Sequence, residues 1–211
     1  MLDEGDNESA ECAFSVVVES LKKLPDTSKE RSDIEQRALF GLGKAQVALG
    51  HFKEAARNID ELITRYPTSG LFYEARFLLG KAYKEMGKTD EAVEVLRDVF
   101  KRAADQNLLN RATMELARIQ LAQGNVADAL ASCQRIVLLS NVDDPATREI
   151  YEEALIQNIR ILADMGNWQE TIQSCDQYIT NFPSGKGIME VRNWRAKGTT
   201  QIVLEKAKRG E

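Results

Sequence analysis

The chain has 211 residues, 43% of them apolar and 29% charged, with a formal net charge of −5. This is the balance of a folding chain rather than a disordered one, and the acid excess argues against broad nucleic-acid binding, which needs a basic footprint. Cys12, Cys133 and Cys175 are odd in number and too far apart for a disulfide framework or a CxxC metal site; no run reaches the roughly 18 apolar residues of a membrane span, and no basic-then-apolar leader opens the chain.

Helix formers dominate, only four prolines occur, and no alternating apolar segments suggest strands, so the composition predicts an all-α protein. The first segment, 6–24, repeats the second half of a helical unit: Gly5 is followed by Ala10, Phe14 and Val17 at helical spacing. Four helical hairpins are then expected over 28–67, 69–106, 108–144 and 146–183, and one closing helix over 186–208. In that last helix Val191, Trp194 and Ala196 match Ala75, Leu78 and Gly80 of the second hairpin. A hydrophobic face on an orphan half-unit implies either a missing neighbouring helix or a capping role, because repeats bury their faces only on neighbours, and a segment cut from a longer protein is the expectation.

The hairpins follow from a repeated pattern. Gly50, Gly87 and Gly124 are spaced 37 residues apart, and Gly166 follows after 42, the extra residues falling at 141–145. Each glycine interrupts a helical apolar pattern, as a residue that tolerates positive φ does at a helix end. Five residues beyond stands Ala55, Ala92, Ala129 or Thr171; seven residues before stands Gly43, Gly80, Ala117 or, exceptionally, Ile159. Small residues at these two places let the paired helices approach closely. Pro25, Pro67, Pro145 and Pro183 each lie between one hairpin and the next, where a helix must stop.

On these residues the chain resembles the tetratricopeptide repeat (TPR) family, best in Leu79-Gly80, Tyr83, Gly87 and Ala92, and nearly as well in Leu42-Gly43, Gly50, Phe52, Ala55 and Pro67. Gln46 and Gln120 replace the aromatic four before the turn, and Asn158 the leucine eight before it, so individual repeats are degenerate. The resemblance implies a single right-handed α-α superhelix of about ten antiparallel helices over 1–211. It also implies a non-catalytic scaffold that binds a protein or peptide in a concave groove, with no cofactor. The stretch Tyr66-Pro67-Thr68-Ser69-Gly70 through Tyr73 to Gly80 resembles bacterial cell-envelope members, including the periplasmic coordinator of the Tol-Pal system and outer-membrane assembly lipoproteins. That likeness implies a periplasmic or cell-envelope setting. A self-association module and a regulatory domain of a larger polypeptide are the alternatives.

In such a solenoid the first helices of successive hairpins line the groove. Six before each turn glycine are Lys44, Lys81, Arg118 and Arg160, matched by Lys197 in the closing helix; ten before stand Phe40, Phe77, Met114 and Ile156. A basic ladder beside an apolar seam suits an acidic peptide. The same residues also fit local pairing, of Lys81 with Glu85, Arg160 with Asp164 and Arg118 with Glu115, and core packing of the seam. Gly41, Gly43 and Lys44 lack the spacing of a phosphate loop, His51 stands in a turn without metal-ligand partners, and Cys133 and Cys175 occupy an apolar packing position.

Overall fold

A computed structural model describes residues 4–23 and 29–209. Among the described residues every regular element is a helix: α1 Glu4–Lys22, α2 Lys29–Leu49, α3 Phe52–Arg65, α4 Phe72–Glu85, α5 Thr89–Arg102, α6 Gln106–Ala122, α7 Val126–Leu139, α8 Pro145–Asp164, α9 Trp168–Asn181 and α10 Ile188–Arg209. No described helix is long and apolar enough to cross a membrane. The helices fall into two compact units, Met1–Ala103 and Ala104–Glu211.

Each of the four tight turns is a glycine with positive φ, 80° at Gly50, 74° at Gly87, 77° at Gly124 and 73° at Gly166. The backbone bonds are those of a Schellman motif. Gly50 N–H donates to Val47 O and His51 N–H to Gln46 O, and the same two bonds recur at Gly87, Gly124 and Gly166. Helix starts have different causes. Asp105 accepts from Leu108 N at 2.7 Å to cap α6; Asp144 caps α8 through Ala146 N at 2.9 Å, with Pro145 in the first turn. Pro145 therefore opens a helix, whereas Pro67 and Pro183 follow the ends of α3 and α9; Pro25 lies outside the described residues. Gly5 sits inside α1 rather than at a turn, because the helix already begins at Glu4.

In the first unit α2 pairs with α3 and α4 with α5, α1 packs on α2, and α2 and α4 lie side by side. Its core gathers Leu39, Leu42, Ala55, Ile59, Leu62, Ala75, Leu79 and Ala82. In the second unit α6 pairs with α7 and α8 with α9, while α8 lies against both α6 and α10. Met114, Ala117, Cys133 and Ile136 form one part of its core, and Leu155, Ile159, Cys175, Tyr178 and Val191 another.

The close approach within hairpins is size-matched. A methyl added at Gly43 would meet Ile59 Cγ1 at 2.5 Å, and one at Gly80 would meet Leu96 Cγ at 2.7 Å. Where the first helix carries Ala117 or Ile159 instead, the facing position of the second holds Cys133 or Cys175. Large against glycine and small against larger residues keep the interhelical space filled in every hairpin.

Candidate functional site

The basic position recurs on α2 and α4 of the first unit and on α6, α8 and α10 of the second, and these rungs are electrostatically unequal. In the second unit Arg118 donates to Glu115 on its own helix and to Glu153 on α8. Burial opposes the Arg118 charge, but the two carboxylates outweigh it and raise the guanidinium pKa. Arg160 makes a two-pronged bond to Glu190 on α10, with Nε and Nη2 at 2.6 and 2.7 Å from its oxygens. The hydrogen bond from Arg160 is the main cause that holds the Glu190 carboxyl below its ordinary range. Arg160 therefore does not pair with Asp164; the bidentate partner comes from the next helix. Glu153 and Glu190 are equivalent residues, each seven before the rung of its own helix. Lys197, exposed, holds its ammonium 4.7 Å from the Trp194 ring centre and 5.5 Å from that of Trp168.

The first unit is different. Lys44 is exposed on α2 with no acidic partner among the described residues. Lys81, half-buried on α4, sits 6.0 Å above the Phe77 ring, and the Glu85 expected to pair with it binds Lys84 at 3.0 Å instead. Two cations on adjacent helices are thus left without carboxylates among the described residues.

The apolar seam divides. Phe40 and Ile156 are partly exposed, whereas Phe77 is 3% and Met114 1% exposed, inside the packing. The expectation that Phe77 and Met114 present themselves to a ligand is corrected by their burial: both side chains are packed inside, while Phe40 and Ile156 at the same helical offset keep part of their surface open. The seam available on the first unit reduces to Phe40 beside Lys44.

Other sequence candidates resolve simply. Gly41, Gly43 and Lys44 lie within α2, and His51 is an exposed turn residue whose Nδ1 is 3.1 Å from Glu11 Oε1. No described group of three or more His, Cys, Asp or Glu is arranged to hold a metal ion. Cys133 and Cys175 are buried, and burial pushes both thiols up to about 12.

Two polar features escaped the sequence reading. Glu35, 1% exposed, accepts from Arg65 and, at 2.7 Å, from the Tyr66 hydroxyl, clasping α2 to the end of α3. Gln46 and Gln120, read as degenerate positions, are each half of a polar pair across the hairpin, the first buried and the second half-buried: Asn58 donates to Gln46 at 2.8 Å and Ser132 to Gln120 at 2.9 Å. The signal was a polar residue twelve later, where the second hairpin has Val95 opposite Tyr83. In the fourth hairpin Asn158 donates to Ser174 at 3.0 Å, and its Oδ1 is buried without a partner among the described residues.

The tetratricopeptide repeat-like domain matches residues 26–153, more than half of the chain. The chain belongs to this TPR-like family. No curated protein matches it in sequence. Among solved structures it is similar to the nearly identical TPR-like repeats of a Podosopora anserina protein described as a kinesin light chain. The identity is 20%, with 86% of this chain and 90% of that one covered and a TM-score of 0.62. It is also similar to a Rap protein complexed with Competence and Sporulation Factor, at 12% identity, 91% and 54% coverage and a TM-score of 0.61. The Rap conjugation gene regulator of plasmid pLS20, in complex with the Phr* peptide, aligns at 15% identity, 95% and 55% coverage and a TM-score of 0.60. These likenesses give the fold, an all-α superhelical repeat of the TPR type.

Proposed function

We propose that this TPR chain is a non-catalytic scaffold that binds an acidic peptide or protein segment over the face of α2 and α4. The observation that carries the reading is the contrast along the ladder: Arg118 and Arg160 are neutralised by Glu153 and Glu190, while Lys44 and Lys81 have no carboxylate among the described residues. Local pairing accounts for the two arginine rungs, Lys197 lies over the Trp194 and Trp168 rings, and the two lysines on adjacent helices of the first unit are left for a ligand. Phe40 supplies the apolar edge, and unpaired ammonium groups beside an aromatic suit acidic side chains flanking an apolar one. The fold's likeness to two Rap proteins, one solved with Competence and Sporulation Factor and one with the Phr* peptide, supports a peptide as the occupant.

A fluorescein-labelled peptide of alternating Asp/Glu and Leu, with a Gln-for-acid analogue as control, tests this by polarisation. The acidic peptide binds and the neutral one does not; K44E with K81E removes binding, whereas R118E leaves it. Equal binding of the charge-reversed protein, with circular dichroism unchanged, would refute the proposal. A bacterial-envelope setting is the finer part of the reading, supported by the Tyr66-Pro67-Thr68-Ser69 joint and its resemblance to envelope members. An export signal in the reading frame upstream would support it; a cytoplasmic protein in fractionated cells would overturn it.

A further inference from the structure

The fourth hairpin departs from the other three at one interior position. Eight residues before the turn glycine the others carry Leu42, Leu79 and Leu116, whereas α8 carries Asn158. Four before it, where Gln46 and Gln120 each bond the residue twelve later, α8 has Leu162, and Ser174 takes its hydrogen bond from Asn158 instead. Asn158 is 5% exposed, and its Oδ1 has no partner among the described residues. An amide in a leucine's place with its acceptor unmet costs stability, and such an exception points to a use.

Asn158 borders a groove. α8 packs against both α7 and α9, and the three helices enclose a groove of about 490 Å³, the size of a ligand cleft. Buried Asn158 and Leu162 form the floor, and Val137 with Leu138, 80% exposed, forms the α7 wall. On the α9 wall stands exposed Glu170, one turn before the Ser174 that Asn158 bonds. Among the described residues lining the groove Glu170 alone is charged, and it has no cationic partner among them. The groove therefore offers two acceptors, one neutral and buried and one negative at the rim, beside a leucine-lined wall.

We infer that this groove is a second docking surface, which takes a peptide segment carrying a lysine or arginine next to an apolar residue. The apolar side chain lies against Val137, Leu138 and Leu162, while the cation donates to Asn158 Oδ1 and its charge is met by Glu170. The chemistry is opposite to that of the α2 and α4 face, shares no residue with it, and stands or falls independently of it.

Fluorescence polarisation on the whole chain tests the inference, with a fluorescein-labelled peptide of alternating Leu and Lys and its Gln-for-Lys and Glu-for-Lys analogues. The lysine peptide should bind, the glutamine analogue more weakly and the glutamate analogue not at all. N158L, which installs the residue of the other hairpins, should weaken the lysine peptide about tenfold, the worth of one hydrogen bond to a charged donor. E170Q should weaken it about threefold, as a rim charge does, and L138S should weaken it as well. E149Q removes the same charge from exposed Glu149, nine residues from Asn158 and so on the opposite side of α8, and should leave binding unchanged. K44E with K81E should not weaken it. No binding of the lysine peptide, equal binding of either analogue, or binding indifferent to both N158L and L138S would overturn the inference. So would a loss with E149Q equal to that with E170Q, the mark of diffuse attraction to an acidic chain. Circular dichroism checks the fold of each variant; Leu138 and Glu170 are exposed, so their variants decide the question even if N158L does not fold.

Discussion

The size-matched contact between Gly80 and Leu96 allows a quantitative test of how these hairpins are held. Gly80→Ala places a methyl 2.7 Å from Leu96 Cγ and 2.8 Å from its Cδ2, about 1 Å inside ordinary carbon–carbon contact. The clash is with the branch point of a fully buried side chain, so the helix or Leu96 must shift. Overpacking of this kind costs about 1–3 kcal/mol, offset by about 1 kcal/mol of helix propensity gained by replacing glycine, for a net loss of about 0–2 kcal/mol. Leu96→Cys alone opens a cavity and should cost about 2–3 kcal/mol. The double variant recreates the Ala117–Cys133 pairing of the third hairpin. Its added methyl then fills space that the lost leucine vacated. The two effects should be coupled by about 1–2 kcal/mol, the double variant being more stable than the sum of the singles. Urea titrations followed by circular dichroism at 222 nm on all four proteins measure the coupling. Additivity within about 0.5 kcal/mol would show that the two positions do not share one packing space.

The buried cysteines and the Glu35 clasp give two further tests. Thiol titration of the native protein with an aromatic disulfide should show one fast thiol, exposed Cys12. Cys133 and Cys175, raised to about 12 by burial, should react only on unfolding; three fast thiols would place the hairpin interiors open to solvent. Burial pushes the Glu35 carboxyl up, but bonds from Tyr66 and Arg65 and the charges of Arg65 and Arg31 outweigh it, so its pKa is lowered on folding. A lowered carboxylate stabilises fully above the unfolded glutamate range of about 4.3 and loses its contribution as pH falls through the folded value. Glu35→Gln should therefore be less stable than the parent at pH 7, and the gap should narrow below about pH 4. A gap in melting temperature that stays constant with pH would rule out the ionised clasp.

Much of the fold was legible locally. Gly50, Gly87, Gly124 and Gly166 announced the four turns because a backbone with φ near 75° selects glycine whatever surrounds it. The small residues at Ala55, Ala92 and Ala129 announced close helix pairs because a short spacing between helices excludes larger side chains. The seam was less legible: Phe77 and Phe40 stand at the same offset, yet one is buried and the other partly exposed. Their neighbours, not their register, set the difference.

The candidate site depended most on tertiary contact. Periodicity in the sequence by itself determined that Lys44, Lys81, Arg118, Arg160 and Lys197 share one position of successive helices, because helical geometry repeats. Which of these charges is spent internally is a matter of distances across helices. Glu153 lies 35 residues from Arg118 and Glu190 lies 30 from Arg160, and no local pattern predicts that they meet. Only the packing of α8 beside α6 and α10 decided that those rungs are paired, because a salt bridge forms where carboxylate and guanidinium come within hydrogen-bond reach, and packing sets that separation.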